Sequence, residues 1–144
     1  ASEKTGSYRT GRDSIIDFCH FSDNLESLMK KSEKLPINYH YNRDNYVIVG
    51  SRSHMSLETE QFFNQKKEEY DKVEVVSIGS SLKLCMVAEG SADAYPRYAP
   101  TMEWDTAAGH AIAKFAGFSV NQYNTKEELI YNKDNLLNPW FLVS

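Results

Sequence analysis

Residues 46–50 read Tyr-Val-Ile-Val-Gly, and residues 73–79 read Val-Glu-Val-Val-Ser-Ile-Gly. A short continuous apolar run that ends at a glycine is typical of a buried parallel strand. Between the two runs, Ser56 precedes an acidic first turn, which predicts a helix that continues to about Tyr70. This strand–helix–strand order predicts an α/β domain of layered sheet and helices.

The alternation of strands and helices continues downstream of the second run. Ser80 or Ser81 is expected to cap a helix that runs to about Glu89. Residues 92–98 predict a third strand, which ends near its proline or lies at a sheet edge. A third helix is expected from residue 105 to about residue 115, stopped by the glycine two positions later. Residues 46–144 therefore form the predicted domain, whereas residues 1–45 show no sustained period.

The composition fits a globular protein and excludes several other classes. The 144 residues are 41% hydrophobic and 25% charged, which is too apolar for a disordered chain. The net charge of −4 gives no reason to expect a nucleic acid polymer as partner. No apolar run approaches the roughly 20 residues of a membrane span. Cys19 and Cys85 do not form a Cys-x-x-Cys pair, so we expect reduced thiols and a cytoplasmic location.

The turn Gly79-Ser80-Ser81 is a candidate anion site. The first amides of a helix point out of such a turn, and serine hydroxyls can add donors. Lys83 follows within the first helical turn, close to the expected anion. The alternative is an ordinary serine cap followed by a solvated lysine.

Asp105 is the candidate metal ligand. It opens a helix rich in small residues, and the positive end of a helix favours a charged carboxylate. Small residues would let the helix lie close to its neighbours, which would fix the position of the carboxylate. The small residues of this segment are Ala107, Ala108, Gly109, Ala111, Ala113 and Ala116. An oriented carboxylate suits a hard divalent cation. The alternative is that Asp105 serves only as a helix N-cap.

Two further candidates lie near strand ends. His54 follows the first strand, where the loops of open α/β sheets collect ligands, although a lone histidine in a loop is most often simply exposed. Arg97 carries a planar fork of donors that suits bidentate recognition of phosphate.

Four segments, taken in order, resemble a known family. Residues 50–54, 78–83, 87–97 and 104–109 are similar to the C-terminal half of the inositol monophosphatase superfamily, and within it to the 3′(2′),5′-bisphosphate nucleotidases. The resemblance is close over residues 46–118, and residues 138–143 resemble the C-terminal strand of that family. It implies the C-terminal domain of the inositol monophosphatase-like (sugar phosphatase) fold, incomplete without its N-terminal half.

The resemblance also implies the site residues. It assigns substrate contacts to Ser51, His54, Gly79, Ser80, Lys83, Arg97 and Asp105. Ser80 and Lys83 would contact the phosphate that is not cleaved, and Asp105 would also bind a Mg²⁺ that touches the leaving-group oxygen. Inositol monophosphatases usually carry an acidic residue at the position of Arg97, so this arginine favours a substrate with a second phosphate.

The implied activity is a Mg²⁺-dependent phosphatase of sulfur metabolism that removes the 3′-phosphate from adenosine 3′,5′-bisphosphate, giving AMP and phosphate. An inositol or sugar monophosphatase of the same superfamily is one alternative, and a nucleotide-binding module without catalysis is another. The family's other metal ligands lie in a Glu-Glu pair and an Asp-Pro-x-Asp-Gly-Thr segment, and this sequence has no Asp-Gly dipeptide. We therefore expect a catalytic half upstream of Ala1, with residues 1–45 as its remnant hairpin and connection. The 144-residue chain alone is expected to be inactive and to tend to self-associate.

Overall fold

The computed structural model describes residues 1–15, 24–37, 45–50 and 56–144. In chain order its elements are β1 (Tyr8–Arg9), α1 (Leu25–Lys30), β2 (Glu33–Lys34), β3 (Asn45–Gly50), α2 (Leu57–Glu69), β4 (Lys72–Ser77), α3 (Leu82–Glu89), β5 (Tyr95–Arg97), α4 (Glu103–Phe115), β6 (Val120–Gln122) and β7 (Phe141–Val143). None of the helices in the described ranges is long and apolar enough to cross a bilayer.

The strand–helix–strand unit predicted from residues 46–79 is confirmed. β3 and β4 pair in parallel, from Asn45 opposite Lys72 to Gly50 opposite Ser77. α2 connects them and begins where the sequence indicates, because the Ser56 hydroxyl accepts the backbone N–H of Thr59 at 3.3 Å.

The second sheet is antiparallel, in the order β5-β7-β6. β7 lies in its middle, with Phe141 opposite both Arg97 and Gln122. One parallel bridge, between Ile48 and Ala94, connects this sheet to β3. The two sheets therefore continue into one another, and β5 lies beside the end of the parallel pair.

The core forms on the face of β3 that carries Val47 and Val49. These two side chains pack with Leu84 and Val87 of α3, and with Phe141 from the middle strand, in one buried cluster. Phe141 is completely buried and meets the Tyr95 ring edge to face, with centroids 5.9 Å apart. α3 and α4 therefore cover this side of the sheet.

α2 covers the other face. Side chains alternate along a strand, so Ile48 and Gly50 point away from the main cluster. A Cβ on Gly50 would lie 3.5 Å from the ring of Phe63, which belongs to α2. Helices thus lie on both faces of the sheet, and the predicted layered α/β architecture is confirmed.

Two predicted strands are shorter than expected. β5 covers Tyr95–Arg97 rather than residues 92–98, because the Asp93 carboxylate accepts the backbone N–H of Val47 at 2.7 Å and the chain turns there. The last strand covers Phe141–Val143 rather than residues 138–143, because residue 138 bonds to Thr101 instead of a strand.

The N-terminal residues contact the helices of the core. A turn closes between Ser2 and Gly6, and β1 then pairs with β2. Ser7 is buried, and its hydroxyl donates to the backbone carbonyl of Ile112 in α4 at 2.7 Å. The division of the chain near residue 45 into a remnant and a domain remains a prediction.

Candidate active site

A cleft of about 420 Å³ opens at the N-terminal ends of α3 and α4, beside β5. Its lining residues are Ser80, Ser81, Lys83, Leu84, Tyr95, Arg97, Thr101, Trp104, Asp105 and Thr106. The cleft thus brings together four residues that the sequence singles out, from three separate elements. Gly79 lies just before them in the chain but does not line the cleft. Ser51 and His54 lie outside the described residues.

The turn before α3 departs from the expected serine cap. Ser81 occupies the N-cap position, but its side chain makes no capping hydrogen bond, so the predicted cap is wrong in its chemistry. Ser80 has a φ of 56°, in the left-handed region that side-chain-bearing residues rarely adopt. Both serines face the cleft rather than close the helix end. This geometry is compatible with the anion site that the sequence suggests.

Lys83 carries a positive charge into the cleft wall although it is largely buried. Only 7% of the residue is exposed, and its Nζ lies 5.6 Å from the ring centroid of Tyr95. Burial, and then the charge of Arg97, lower the pKa of Lys83. Two cations that disfavour each other in one cleft create a site where an anion is stabilised.

Arg97 is held at the cleft wall by its own loop. Its Nη2 donates to the backbone carbonyl of Pro100 at 2.8 Å. Its Nε is buried and makes no hydrogen bond to the part of the chain that the structure describes. A buried N–H without an acceptor is costly, so this guanidinium favours an additional acceptor.

Asp105 lies in the first turn of α4, but it is not the N-cap. The helix begins at Glu103, with Met102 at the cap position, so the predicted start is two residues late. The Met102 N–H donates to Asp105 Oδ2 at 3.0 Å. The carboxylate therefore holds the helix end with one oxygen, as the third residue of a capping box does.

Asp105 fits a metal ion as one ligand of a larger set. Asp105 is exposed in the cleft, and its Oδ1 accepts no hydrogen bond from the described residues. A carboxylate oxygen is the donor that Mg²⁺ prefers. Within residues 1–15, 24–37, 45–50 and 56–144, however, no three His, Cys, Asp or Glu side chains come close enough to hold a metal.

Sequence reasoning assigned no role to several lining residues. Tyr95 could have been found, because residues two apart on a strand share a face and Arg97 is its partner. Trp104 is 67% exposed at the rim of the cleft. Thr106 and Thr101 carry no sequence signal, since their place depends on contacts with residues some 30 positions away.

A buried hydrogen-bond network lies behind Asp105. The Thr106 hydroxyl donates to the Glu103 carbonyl at 3.2 Å, and it accepts from Asn138 Nδ2 at 3.0 Å and from the Tyr131 hydroxyl at 3.4 Å. Thr106 is 2% exposed. His110, one turn along the helix, lies 2.8 Å from the same tyrosine hydroxyl through Nδ1. The first two turns of α4 thus bury a polar face.

The outer end of the network is charged. His110 Nε2 lies 2.8 Å from Glu128 Oε1, and Lys114 Nζ lies 2.7 Å from the same oxygen. Burial lowers the pKa of His110, although the neighbouring carboxylate acts in the opposite direction. The hydrogen bond from Lys114, more than that from His110, lowers the pKa of Glu128.

Residues 131–138, which we call the strap, lie against the start of α4. The Glu103 carboxylate accepts the Asn132 N–H at 2.6 Å and forms an ion pair with Lys133. The hydrogen bond from Lys133 is the main cause of the lowered pKa of Glu103. The strap also bridges to Met102 through Leu137. The helix start that carries Asp105 is therefore held by a distant segment.

The sequence pattern of the inositol monophosphatase family matches residues 19–140, and the chain belongs to that family. It is similar to the crystal structure of CysQ from Bacteroides thetaiotaomicron, with 52% identity and a TM-score of 0.76 over 85% of this chain and 44% of the other. A staphylococcal phosphatase, IMPase-II, shares the fold at 19% identity and a TM-score of 0.60, covering 79% of this chain and 43% of that one.

Among curated proteins, the chain is similar to the 3′(2′),5′-bisphosphate nucleotidase CysQ of Escherichia coli K12. The two are 46% identical over 98 residues, which cover 68% of this chain and 38% of the relative. The matched part of the chain covers between 38% and 44% of each of these proteins.

Proposed function

We propose that this chain supplies the nucleotide-binding part of a Mg²⁺-dependent bisphosphate nucleotidase. The enzyme would hydrolyse the 3′-phosphate of adenosine 3′,5′-bisphosphate to AMP and phosphate. One observation carries the proposal: Lys83 and Arg97, two cations from different elements, line the same cleft as the Asp105 carboxylate. The similarity to nucleotidases named CysQ supports this substrate class.

The two cations would bind the phosphate that is not cleaved. A bidentate guanidinium and a lysine form charge-assisted hydrogen bonds, which are among the strongest that a phosphate can receive. Ser80 would add a hydroxyl donor at the turn, next to Gly79. Ser51 and His54 would approach the nucleotide from the loop after β3, as the family resemblance implies. An inositol monophosphate carries no second phosphate for Lys83 and Arg97 to bind.

Asp105 would hold one Mg²⁺, and the other ligands would come from an N-terminal half of the full-length enzyme. A bound Mg²⁺ neutralises phosphoryl oxygens and stabilises the departing alkoxide. The role of this chain is to orient the carboxylate and to hold the substrate's second phosphate beside it. We further propose a cytoplasmic enzyme of sulfur metabolism.

A nucleotide-binding module without catalysis is the second candidate. The absence of a carboxylate cluster from the described ranges favours it for the 144 residues on their own. We expect this chain alone to release no phosphate from the bisphosphate nucleotide in the presence of Mg²⁺. Turnover near the 1–10³ s⁻¹ that is typical of enzymes would contradict the expected need for an N-terminal half.

The substrate proposal is tested by kcat/KM for the bisphosphate nucleotide and for a nucleoside monophosphate, measured on the full-length enzyme. Arg97→Ala should lower kcat/KM for the bisphosphate by about 10- to 100-fold, the equivalent of one lost hydrogen bond to a charged group at about 1.5–3 kcal/mol. Residual use of the monophosphate should change little. Arg9→Ala is the matched control, because this arginine pairs with Glu33 and Glu89 away from the cleft. Equal losses on both substrates would assign Arg97 to the cleaved phosphate or to the fold.

The metal proposal is tested with Asp105→Asn, which keeps the size of the side chain and can still accept the Met102 N–H. We expect turnover and Mg²⁺ affinity to collapse while the melting temperature stays close to that of the parent. Asp71→Asn, at an exposed aspartate, is the control. Unchanged Mg²⁺ dependence in Asp105→Asn would leave Asp105 as a helix-capping residue.

A further inference from the structure

We infer that the strap positions Asp105, and that Thr106 and Asn138 are the positioning residues through which it acts. The inference rests on the proposed function, since it concerns the carboxylate proposed to bind Mg²⁺. Neither side chain is proposed to touch metal or substrate. Thr106 belongs to the helix turn that carries Asp105 and is 2% exposed, and Asn138 packs behind that turn and is 4% exposed.

The backbone of the strap forms hydrogen bonds on both sides of Met102, the residue whose N–H donates to Asp105. The Glu103 N–H donates to the Leu136 carbonyl at 3.0 Å, and the Asn138 N–H donates to the Thr101 carbonyl at 2.8 Å. Between these two bonds lies Met102, whose own N–H donates to Asp105 Oδ2. The place of Met102, and through it that of the carboxylate, therefore depends on the strap.

The side chain of Asn138 completes this hold from inside. Its Nδ2 donates to the Met102 carbonyl at 2.9 Å and to the Thr106 hydroxyl at 3.0 Å. Met102 is thus bonded on its carbonyl side by Asn138 and on its amide side by Asp105. One amide group thus connects Met102, three residues before Asp105, to Thr106, the residue after it.

Thr106 is the point at which this arrangement can be broken most cleanly. Its hydroxyl donates one hydrogen bond and accepts two, which is all that a hydroxyl can make. Without that oxygen, the Asn138 amide and the Tyr131 hydroxyl lose an acceptor in a buried place. Asn138 Nδ2 then keeps its bond to the Met102 carbonyl but loses its link to α4, which loosens the turn around Met102. The Tyr131 hydroxyl keeps only its contact with His110.

The test compares Thr106→Val, which keeps the shape and removes the hydroxyl, with Thr106→Ser, which keeps the hydroxyl. Mg²⁺ affinity of the full-length enzyme is measured by calorimetry with the metal alone, and amide hydrogen exchange is followed at Met102. We expect Thr106→Val to weaken Mg²⁺ binding by about 10-fold, the lower end for loss of a group that orients a ligand. Exchange at Met102 should accelerate, and Thr106→Ser should restore both values.

Ser7→Ala is the matched control. It removes another buried hydroxyl that bonds to α4, at Ile112 near the far end of the helix. It should lower the melting temperature while leaving Mg²⁺ affinity and Met102 exchange unchanged. Equal effects of Ser7→Ala and Thr106→Val on Mg²⁺ binding would overturn the inference, because the loss would then reflect stability alone.

Asp105→Asn separates the two proposals. If Asp105→Asn abolishes Mg²⁺ binding and Thr106→Val leaves it unchanged, the positioning role is wrong and the metal role stands. If Asp105→Asn itself leaves Mg²⁺ binding unchanged, the proposed function is wrong. Should Thr106→Val fail to fold, Tyr131→Phe removes one of the three hydrogen bonds of Thr106 together with the contact to His110. Its Mg²⁺ affinity must still fall below that of Ser7→Ala.

Discussion

Gly109→Ala should destabilise the protein even though alanine is the better helix former. Gly109 lies in α4 where that helix approaches α3. A Cβ at this position would lie 3.0 Å from the Cβ of Leu84 and 3.2 Å from each of its Cδ atoms. The nearest of these atoms is attached to the backbone, so it cannot move aside without moving the helix.

Two opposing effects set the magnitude. Replacing a mid-helix glycine by alanine gains about 1 kcal/mol from helix propensity. Overpacking a well-filled contact costs about 1–3 kcal/mol. We expect the clash to win, with a net loss of about 1 kcal/mol in the free energy of unfolding, or about 3–5 °C in melting temperature for a chain of this size.

The assay is urea unfolding of the parent and the variants under identical conditions. Ala108→Gly, at an exposed position of the same helix, measures the propensity term and should cost about 1 kcal/mol. In a background of Leu84→Ala the two Cδ contacts are gone, so the penalty of Gly109→Ala should shrink by at least about 0.5 kcal/mol. A gain in stability equal to the loss in Ala108→Gly would refute the reasoning, because the two helices would then be free to separate.

Two further predictions concern pH. Burial lowers the pKa of His110, so as pH falls the histidine of the unfolded chain binds a proton at a higher pH than that of the folded chain. The free energy of unfolding should therefore fall as pH drops below about 6.5. His110→Gln should reduce the difference in the free energy of unfolding between pH 7.5 and pH 5.5, measured by urea unfolding. Glu103 has a lowered pKa because of its hydrogen bonds to Lys133 and Asn132. The stability that the Glu103 carboxylate adds to the fold is present above about pH 4.3 and is lost as pH falls through the lowered pKa. Glu103→Gln should therefore be less stable than the parent at pH 7, and the difference in the free energy of unfolding should narrow in acid. A margin independent of pH would contradict the role of the charge.

The elements that local sequence specifies were predictable. The apolar run that became β3 and the serine cap of α2 depend on neighbouring residues alone, and both occur where the pattern indicates them. The start of α4 was placed two residues late, because the N–H of Glu103 finds its acceptor in Leu136, far along the chain. Among the small residues of that helix, Gly109 lies against α3 as expected, whereas Ala107 and Ala108 are exposed.

The residues that line the candidate site were more predictable from the sequence than the buried residues that hold them in place. Motif order brought together Lys83, Arg97 and Asp105, and the cleft contains all three. Nothing in the local sequence indicates that His110 is buried, since a histidine in mid-helix is compatible with either face. Its partner Tyr131 is 21 residues away, and hydrogen bonds over such distances follow from the tertiary fold.

The place of β7 has a consequence for the order in which this protein can be built. The strand is the last of the described elements in the chain, yet it is the middle strand of its sheet. Synthesis proceeds from the N-terminus, so β5 and β6 emerge from the ribosome with no strand between them. Unpaired strand edges recruit other chains. The strand that carries Arg97 thus gains its antiparallel partner only when residues 141–143 have been released, and a nascent chain that stalls before them leaves β5 and β6 each with an unpaired edge.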